Sequence, residues 1–409
     1  MLGAAHSVMA QESATVLPKG IWRARAVSVF SLPVKDSFNN DGAKVELLNK
    51  MNASIPAKTQ AAQNPQLMNL YTKLNQVESG LGDKLFQTEL FANGTLNFQR
   101  YTTALEYGVT DRFSLGVIVP VVRLKLEGVR ATIVHSQADD ITKKLEASGS
   151  GMYQPLIDGV EQFSTSIPTA AYYEKALFTD KGYNIQGINY LALGDIEVGG
   201  VYNFLKSTSF KSSFKSGFRL PTANHVAIYS NPLDKSSGDK QLDFAVQNIL
   251  NYDVTSNTTL ATSLKYTWQL KDKRYQPVPV FGQVGLTDLN GDTNWDQVTR
   301  DLGDMFDAEL SLTQYFQERS IFAYSFYAYT LKEKDTFKGS KSLDFASLSL
   351  ETEQVSHKYE IGLGYSTIPA FRAKRFAVPL EFKVAFNGSL SGKNTPDAAY
   401  TRFDAIVYF

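Results

Sequence analysis

Alternation of apolar and polar residues at every second position runs through most of this chain and constrains its fold more than any other feature. In Phe210 to Leu220, Phe210, Phe214, Phe218 and Leu220 alternate with Lys211, Ser213, Lys215, Gly217 and Arg219. Successive side chains of a strand point to opposite faces, so such a segment has one greasy face and one wet face. The same grammar sets Leu242, Phe244, Val246, Leu250 and Tyr252 against Asp243, Gln247, Asn251 and Asp253. It also sets Leu260, Leu264, Tyr266, Trp268 and Leu270 against Thr259, Ser263, Lys265, Thr267 and Gln269. About twelve such segments fall near 20–32, 92–108, 113–127, 188–205, 209–221, 241–254, 257–271, 304–317, 320–333, 350–366, 375–391 and 399–409, each end good to about two to four residues.

The connections between these segments alternate in length. Val109 to Arg112, Lys206 to Thr208, Thr255-Ser256 and Glu318-Arg319 are tight, whereas long stretches lie near 33–91, 128–187, 222–240, 272–303, 334–349 and 392–398. Short turns at one end and long loops at the other are the rhythm of an all-β, transmembrane, antiparallel up-and-down barrel with periplasmic turns and outer loops. The chain closes on Thr401 to Phe409, in which Phe403, Ala405, Val407 and Phe409 share one face. With Phe403, Val407 and Phe409 this resembles the C-terminal strand signal of bacterial outer-membrane proteins, which the barrel-assembly machinery reads.

Composition narrows the alternatives. The chain has no Cys, which excludes disulfide scaffolds and thiolate chemistry, and 41 Lys+Arg against 41 Asp+Glu leave no basic field for nucleic acid. The apolar run Val117 to Val122 is far short of the roughly 20 residues of a spanning helix. The surplus of 26 Phe, 21 Tyr and 3 Trp fits the aromatic girdles of a barrel and outer-membrane lipid contact. Tyr101, Tyr107, Tyr202, Phe210, Tyr252, Trp268, Phe322 and Tyr365 are among those assigned to the outer face.

The inward face carries charges of both signs. Its basic positions are Arg23, Arg25, Arg100, Lys211, Lys215, Arg219, Lys265, Lys358, Lys383 and Arg402. Its acidic positions are Glu106, Asp195, Glu197, Asp243, Asp253, Asp307, Glu309, Glu360, Glu381 and Asp404. A single-sign lining would select ions, whereas a balanced one predicts cross-strand ion pairs that partly fill a narrow barrel. Asp195 and Glu197 are expected beside Lys211 and Lys215, and Lys383 between the strands of Glu360 and Asp404. Tyr327 and Tyr329 are assigned inward, as packing or part of a solute path. Pro120 interrupts the third segment, and the apolar parity resumes at Leu124 and Leu126 as a bulge would make it do.

The first two outer loops carry helix-spaced apolar residues: Leu48, Leu67, Leu70, Tyr71, Leu74 and Val77 in one, Ile141, Leu145, Tyr153, Leu156, Ile157, Val160 and Phe163 in the other. Such faces need cover, as a lid over the barrel or around a ligand groove. Asp288, Asn290 and Asp292 place oxygen ligands at every second position, but the Gly and the closing Glu of a calcium loop are missing, so a solvated turn is favoured and no metal or cofactor is expected. Of His6, His135, His225 and His357, only His357 lies in a strand, and no nucleophile is placed beside it. Val8-Met9-Ala10 resembles the end of a secretory signal. Residues 1–10 are thus read as a residual signal peptide and 11–409 as a single barrel.

Tyr107-Gly108-Val109-Thr110-Asp111-Arg112-Phe113-Ser114-Leu115-Gly116, with Val119-Pro120, resembles the strand–turn–strand signature of outer-membrane transporters encoded near aromatic-degradation pathways. Leu193 to Tyr202 is similar to that family's second recurring strand, and Leu17-Pro18-Lys19-Gly20 to the approach to its first. This phenol meta-pathway family is distantly similar to the long-chain fatty-acid channels. The resemblance implies uptake of small hydrophobic or aromatic compounds across the outer membrane, and the whole chain reads as a monomeric barrel working as a passive channel for them. The alternatives are a non-conducting barrel whose loops bind a partner or surface, and an outer-membrane lipolytic enzyme.

Overall fold

The computed structural model describes residues 14–49, 53–55, 57–62, 64–85, 88–134, 137–164, 179–182, 187–227, 229–231, 233–281, 289 and 294–409. Twelve strands form the wall: β1 (Trp22–Ser31), β2 (Thr88–Thr110), β3 (Phe113–Val134), β4 (Glu197–Lys206), β5 (Phe210–Arg219), β6 (Asp243–Thr255), β7 (Thr258–Gln269), β8 (Met305–Phe316), β9 (Ile321–Lys332), β10 (Gln354–Ser366), β11 (Leu380–Lys393) and β12 (Ala399–Tyr408). Each pairs with its sequence neighbours, and β12 pairs antiparallel with β1, so the sheet closes on itself. Closure leaves every strand of the wall with two partners, which a membrane without hydrogen-bonding solvent demands. Among the described residues no helix is long and apolar enough to cross a membrane.

The chain divides into two compact units. One, residues 1–45, 95–127 and 183–409, holds most of the barrel; the other is residues 46–94 and 128–182. In the second unit, helices α1 (Ala57–Ala61), α2 (Pro65–Val77), α3 (Ala138–Ala147) and α4 (Ser150–Ser164) pack together. Asn64 caps α2 by accepting the Gln66 amide at 2.9 Å, with Pro65 in the first turn, where its missing N–H costs nothing. The helix-spaced residues Leu70, Leu74, Ile141, Leu145, Ile157 and Val160 cover one another in a single core.

The barrel's outer face is apolar. Leu115, Tyr202, Phe218, Leu264, Leu312, Leu363 and Phe403 are exposed there. Phe218, Phe244 and Trp268 stack across β5, β6 and β7 at ring separations of 5.1 and 5.6 Å near the long-loop end. Trp22 and Tyr107 do the same at 4.6 Å near the short-turn end. These are the two aromatic belts of a membrane barrel.

Two assignments of facing are corrected by the structure. On β9 the buried residues are Phe322, Tyr324, Phe326, Ala328, Thr330 and Lys332, so Tyr327 and Tyr329 point outward and Phe322 points inward. Both faces of this strand are apolar or aromatic over most of its length, and alternation alone carries no sign. On β3, Pro120, Val122, Leu124 and Leu126 keep the inward parity of Ser114, without a bulge. The irregularity lies in the partner: Ile188–Leu193 pairs with β3 beyond Pro120, Gly194 to Ile196 leave the ladder, and β4 resumes it. Pro120 has no N–H to give, yet its carbonyl accepts the Gly194 amide at 2.9 Å.

Above the wall, Asp272–Pro277, Trp295–Asp301 and Thr336–Lys338 form a separate three-stranded sheet, which the sequence pattern had left inside long loops. At the opposite end the N-terminal segment enters the barrel. Ala14 is fully buried, and its carbonyl accepts the Asn203 amide at 2.8 Å and the Ser213 hydroxyl.

Candidate functional site

The inward charges arrange themselves in pairs. Toward the short-turn end Arg23 meets Glu106, Lys211 meets Asp253 at 3.2 Å, and Lys383 meets Glu381 at 3.1 Å. Further along, Arg25 and Arg402 both hold Asp404 at 2.6 Å, and Arg402 also reaches Glu360 at 3.2 Å. Tyr324 donates to Glu360 at 2.9 Å. These groups are deeply buried, with Arg402 at 2% and Glu360 at 1% exposure, so pairing is what makes their burial tolerable.

On the long-loop side Arg219 bridges Asp239 at 2.7 Å and Asp243, while Lys265 stands 3.9 Å from Asp307, whose other oxygen accepts the Thr330 hydroxyl at 2.7 Å. The expected juxtaposition of Asp195 and Glu197 with Lys211 and Lys215 is not formed. Register places Glu197 opposite Arg219 and Lys215 opposite Val201 and Gln247. Glu309 stands between Ser263 and Ala328. Lys383 stands opposite Asp404, as its position between strands implied, but its ion pair is within its own strand and Glu360 belongs to Arg402.

Asp195 has a different part. It sits where the wall leaves the ladder, and its carboxylate accepts the amides of Ala223 at 2.9 Å and Lys240 at 3.3 Å. It therefore fastens both ends of the loop between β5 and β6 to the wall. The loop is held again by His225, whose ring contacts Asp234 at 2.9 Å and stacks on Tyr190 at 3.9 Å.

This loop, β1, β2, β3 and β9–β12 enclose a cavity of about 190 Å³. Its wall is largely apolar: Val29, Phe98, Pro120, Leu124, Phe326 and Ala328 line it. Arg100, Asp195, Glu197, Arg219, Lys235, Asp239, Lys358, Asn387 and Tyr400 bring polar groups to the same lining. Alternation had found the charged members Arg100, Asp195, Glu197, Arg219 and Lys358. It missed the apolar ones, because a greasy residue on an otherwise wet face looks like a residue of the lipid face. Tyr400 was within reach, since it shares parity with Arg402 and Asp404.

The lipid-facing His357 accepts or donates at 2.7 Å with the Tyr327 hydroxyl. A phenol at that position neither orients nor activates an imidazole as a triad carboxylate does. Among the described residues no group of three His, Cys, Asp or Glu is placed to hold a metal. Asp288, Asn290 and Asp292 lie outside the described residues.

No protein-family model matches the sequence, and no curated protein matches it. The structure is similar to the crystal structure of an outer membrane channel from Pseudomonas putida F1, with a TM-score of 0.52 and 11% identity over 97% of this chain and 98% of that one. The P. putida toluene transporter TodX follows at 0.32 and 11%, over 96% and 89%, and the CymD monoaromatic hydrocarbon channel at 0.31 and 9%, over 96% and 88%. Of these three, the first bears on the fold. The twelve-stranded closed wall and its wet, ion-paired interior are the fold of an outer-membrane channel.

Proposed function

We infer that the protein is a passive channel in the bacterial outer membrane for small hydrophobic or aromatic solutes. The observation that carries this reading is the apolar chamber inside an otherwise ion-paired lumen. Paired charges present little net field to select ions, while an apolar wall of this kind is where a hydrophobic solute leaves water. An engineered apolar cavity of roughly 150 Å³ holds benzene, so a chamber of about 190 Å³ suits a single ring. The short turns face the periplasm, the C-terminal strand is the segment read by the barrel-assembly machinery, and the closed wall works as a monomer.

The reading is of a transporter: the strand histidine His357 is engaged by the Tyr327 hydroxyl and not by a carboxylate. Proteoliposomes of the full chain test it. Benzyl alcohol and toluene should equilibrate across them faster than across protein-free vesicles, with little ion conductance. A folded, inserted barrel that speeds neither solute sinks the channel.

A further inference from the structure

Among the described cations that line the chamber, Arg100, Lys235 and Arg219 are engaged, and Lys358 is the exception. Arg219 is held by Asp239 and Asp243, Arg402 by Glu360 and Asp404, and Lys265 and Lys383 by Asp307 and Glu381. Lys358 lines the cavity from β10 and has neither a hydrogen bond nor an ion pair with any described residue. On the neighbouring wall, Asp307 is already held by Thr330 and Lys265.

The acidic groups that line the same chamber are likewise committed. Asp195 accepts two loop amides, Asp239 pairs with Arg219, and Glu197 stands opposite Arg219. None of them is left to answer the ammonium. Close to Lys358 in the wall, Ser356 and Asn387 are nearly fully buried, and the Asn387 carbonyl oxygen accepts no hydrogen bond. Lys358 stands opposite Ala328 and shares the chamber lining with these polar groups, with Phe326 and Val29, and with Arg100.

We propose that the chamber is a binding site for a single-ring aromatic carboxylate, its ring against the Phe326 surface and its anion on Lys358. The proposal rests on the channel reading and names the solute class for it. A neutral hydrocarbon would fill the space but leave the ammonium without an acceptor in a drying site, a desolvation cost with no return. A carboxylate supplies the missing acceptor and the opposite charge, and charge-assisted hydrogen bonds are the stronger kind. A second carboxylate on the ligand would meet the like charges of Asp195, Glu197 and Asp239, which favours a monoanion.

Benzoate and the near-isosteric, neutral benzyl alcohol separate the possibilities. Binding to the purified full chain is measured by calorimetry, and uptake by proteoliposome flux, for the native protein, Lys358→Met and Lys358→Arg. Native protein should bind benzoate more tightly than benzyl alcohol. Lys358→Met, which keeps the stem and loses the charge, should weaken benzoate by about tenfold to a hundredfold with benzyl alcohol unchanged, and Lys358→Arg should retain most of the benzoate affinity. Equal binding of the two ligands, or benzoate binding indifferent to Lys358→Met, overturns the site while benzyl alcohol flux still upholds the channel. Lys358-dependent benzoate binding without flux of either compound upholds the site and overturns the channel. If Lys358→Met does not fold, as judged by heat-modifiable gel mobility, the native preference and Lys358→Arg decide the matter.

Discussion

Arg402 on β12 reaches past the whole of β11 to Glu360 on β10, with its Nη1 3.2 Å from one carboxylate oxygen and 3.4 Å from the other. The residue opposite Arg402 on the intervening strand is Ala385, whose small side chain leaves room for the crossing. Arg402→Met should destabilise the barrel by about 3–5 kcal/mol, because Glu360 and Asp404 remain buried and Glu360 loses its cation. Glu360→Gln should cost less, since Arg402 keeps Asp404. Unfolding temperatures read from heat-modifiable gel mobility give the order, and equal temperatures for Arg402→Met and the native chain would refute it.

Phe326 and Tyr327 are chain neighbours on opposite faces, one lining the chamber and the other facing lipid. Phe326→Ala should enlarge the chamber and change benzyl alcohol flux severalfold, whereas Tyr327→Ala should leave flux unaltered. The reverse result would restore the inward placement of Tyr327.

Gly362 and Gly364 sit beneath the rings of Tyr324 and Phe322, and a Cβ at either position would overlap its ring. Gly364→Ala should therefore destabilise by about 1–3 kcal/mol. Adding Phe322→Ala should recover part of that loss. A double variant no more stable than Gly364→Ala, measured in urea, would show that the ring is not the obstacle.

The Asp296 carboxylate ties the extra sheet to the loop that follows it, accepting the amides of Ser340 at 2.6 Å, Lys341 at 2.9 Å and Gln297 at 2.8 Å. The Lys341 amide foremost, with the Ser340 hydroxyl and amide, holds its pKa below the ordinary carboxylate value. A lowered folded-state pKa means that this tie is whole above the unfolded value of about 3.9 and is lost as pH falls through the folded one. Hydrogen exchange at the Ser340 and Lys341 amides, corrected for intrinsic rates, should stay slow at pH 6 and quicken near pH 3. Asp296→Asn should exchange quickly at both, and slow exchange throughout would exclude the carboxylate as the tie.

The wall was legible because its two solvents differ: lipid outside and a charged lumen inside give each strand a polarity contrast, as in Phe210–Arg219. The contrast fails on Ile321–Lys332 and on β3 around Pro120, where both faces are apolar. Both strands line the chamber, so the feature that hides their facing is the feature the solute needs. Thr330 and Lys332 carried the correct parity for β9 at its polar end. The ion partners were less legible, since Arg402 to Glu360 skips a strand and Asp195 binds loop amides. No one-dimensional pattern records either contact.

The seam between Trp22–Ser31 and Ala399–Tyr408 has a consequence in time. It joins the first strand to the last, from Arg23 opposite Tyr408 to Ser31 opposite Tyr400, so no shorter portion of the chain has a complete wall. Until Ala399–Tyr408 is in place, two rows of amides and carbonyls stand open as templates for foreign strands. Closure between such distant segments is also the slowest kind of contact to make. A wall that still lacks either strand is therefore a pairing hazard, and the hazard lasts until the seam forms.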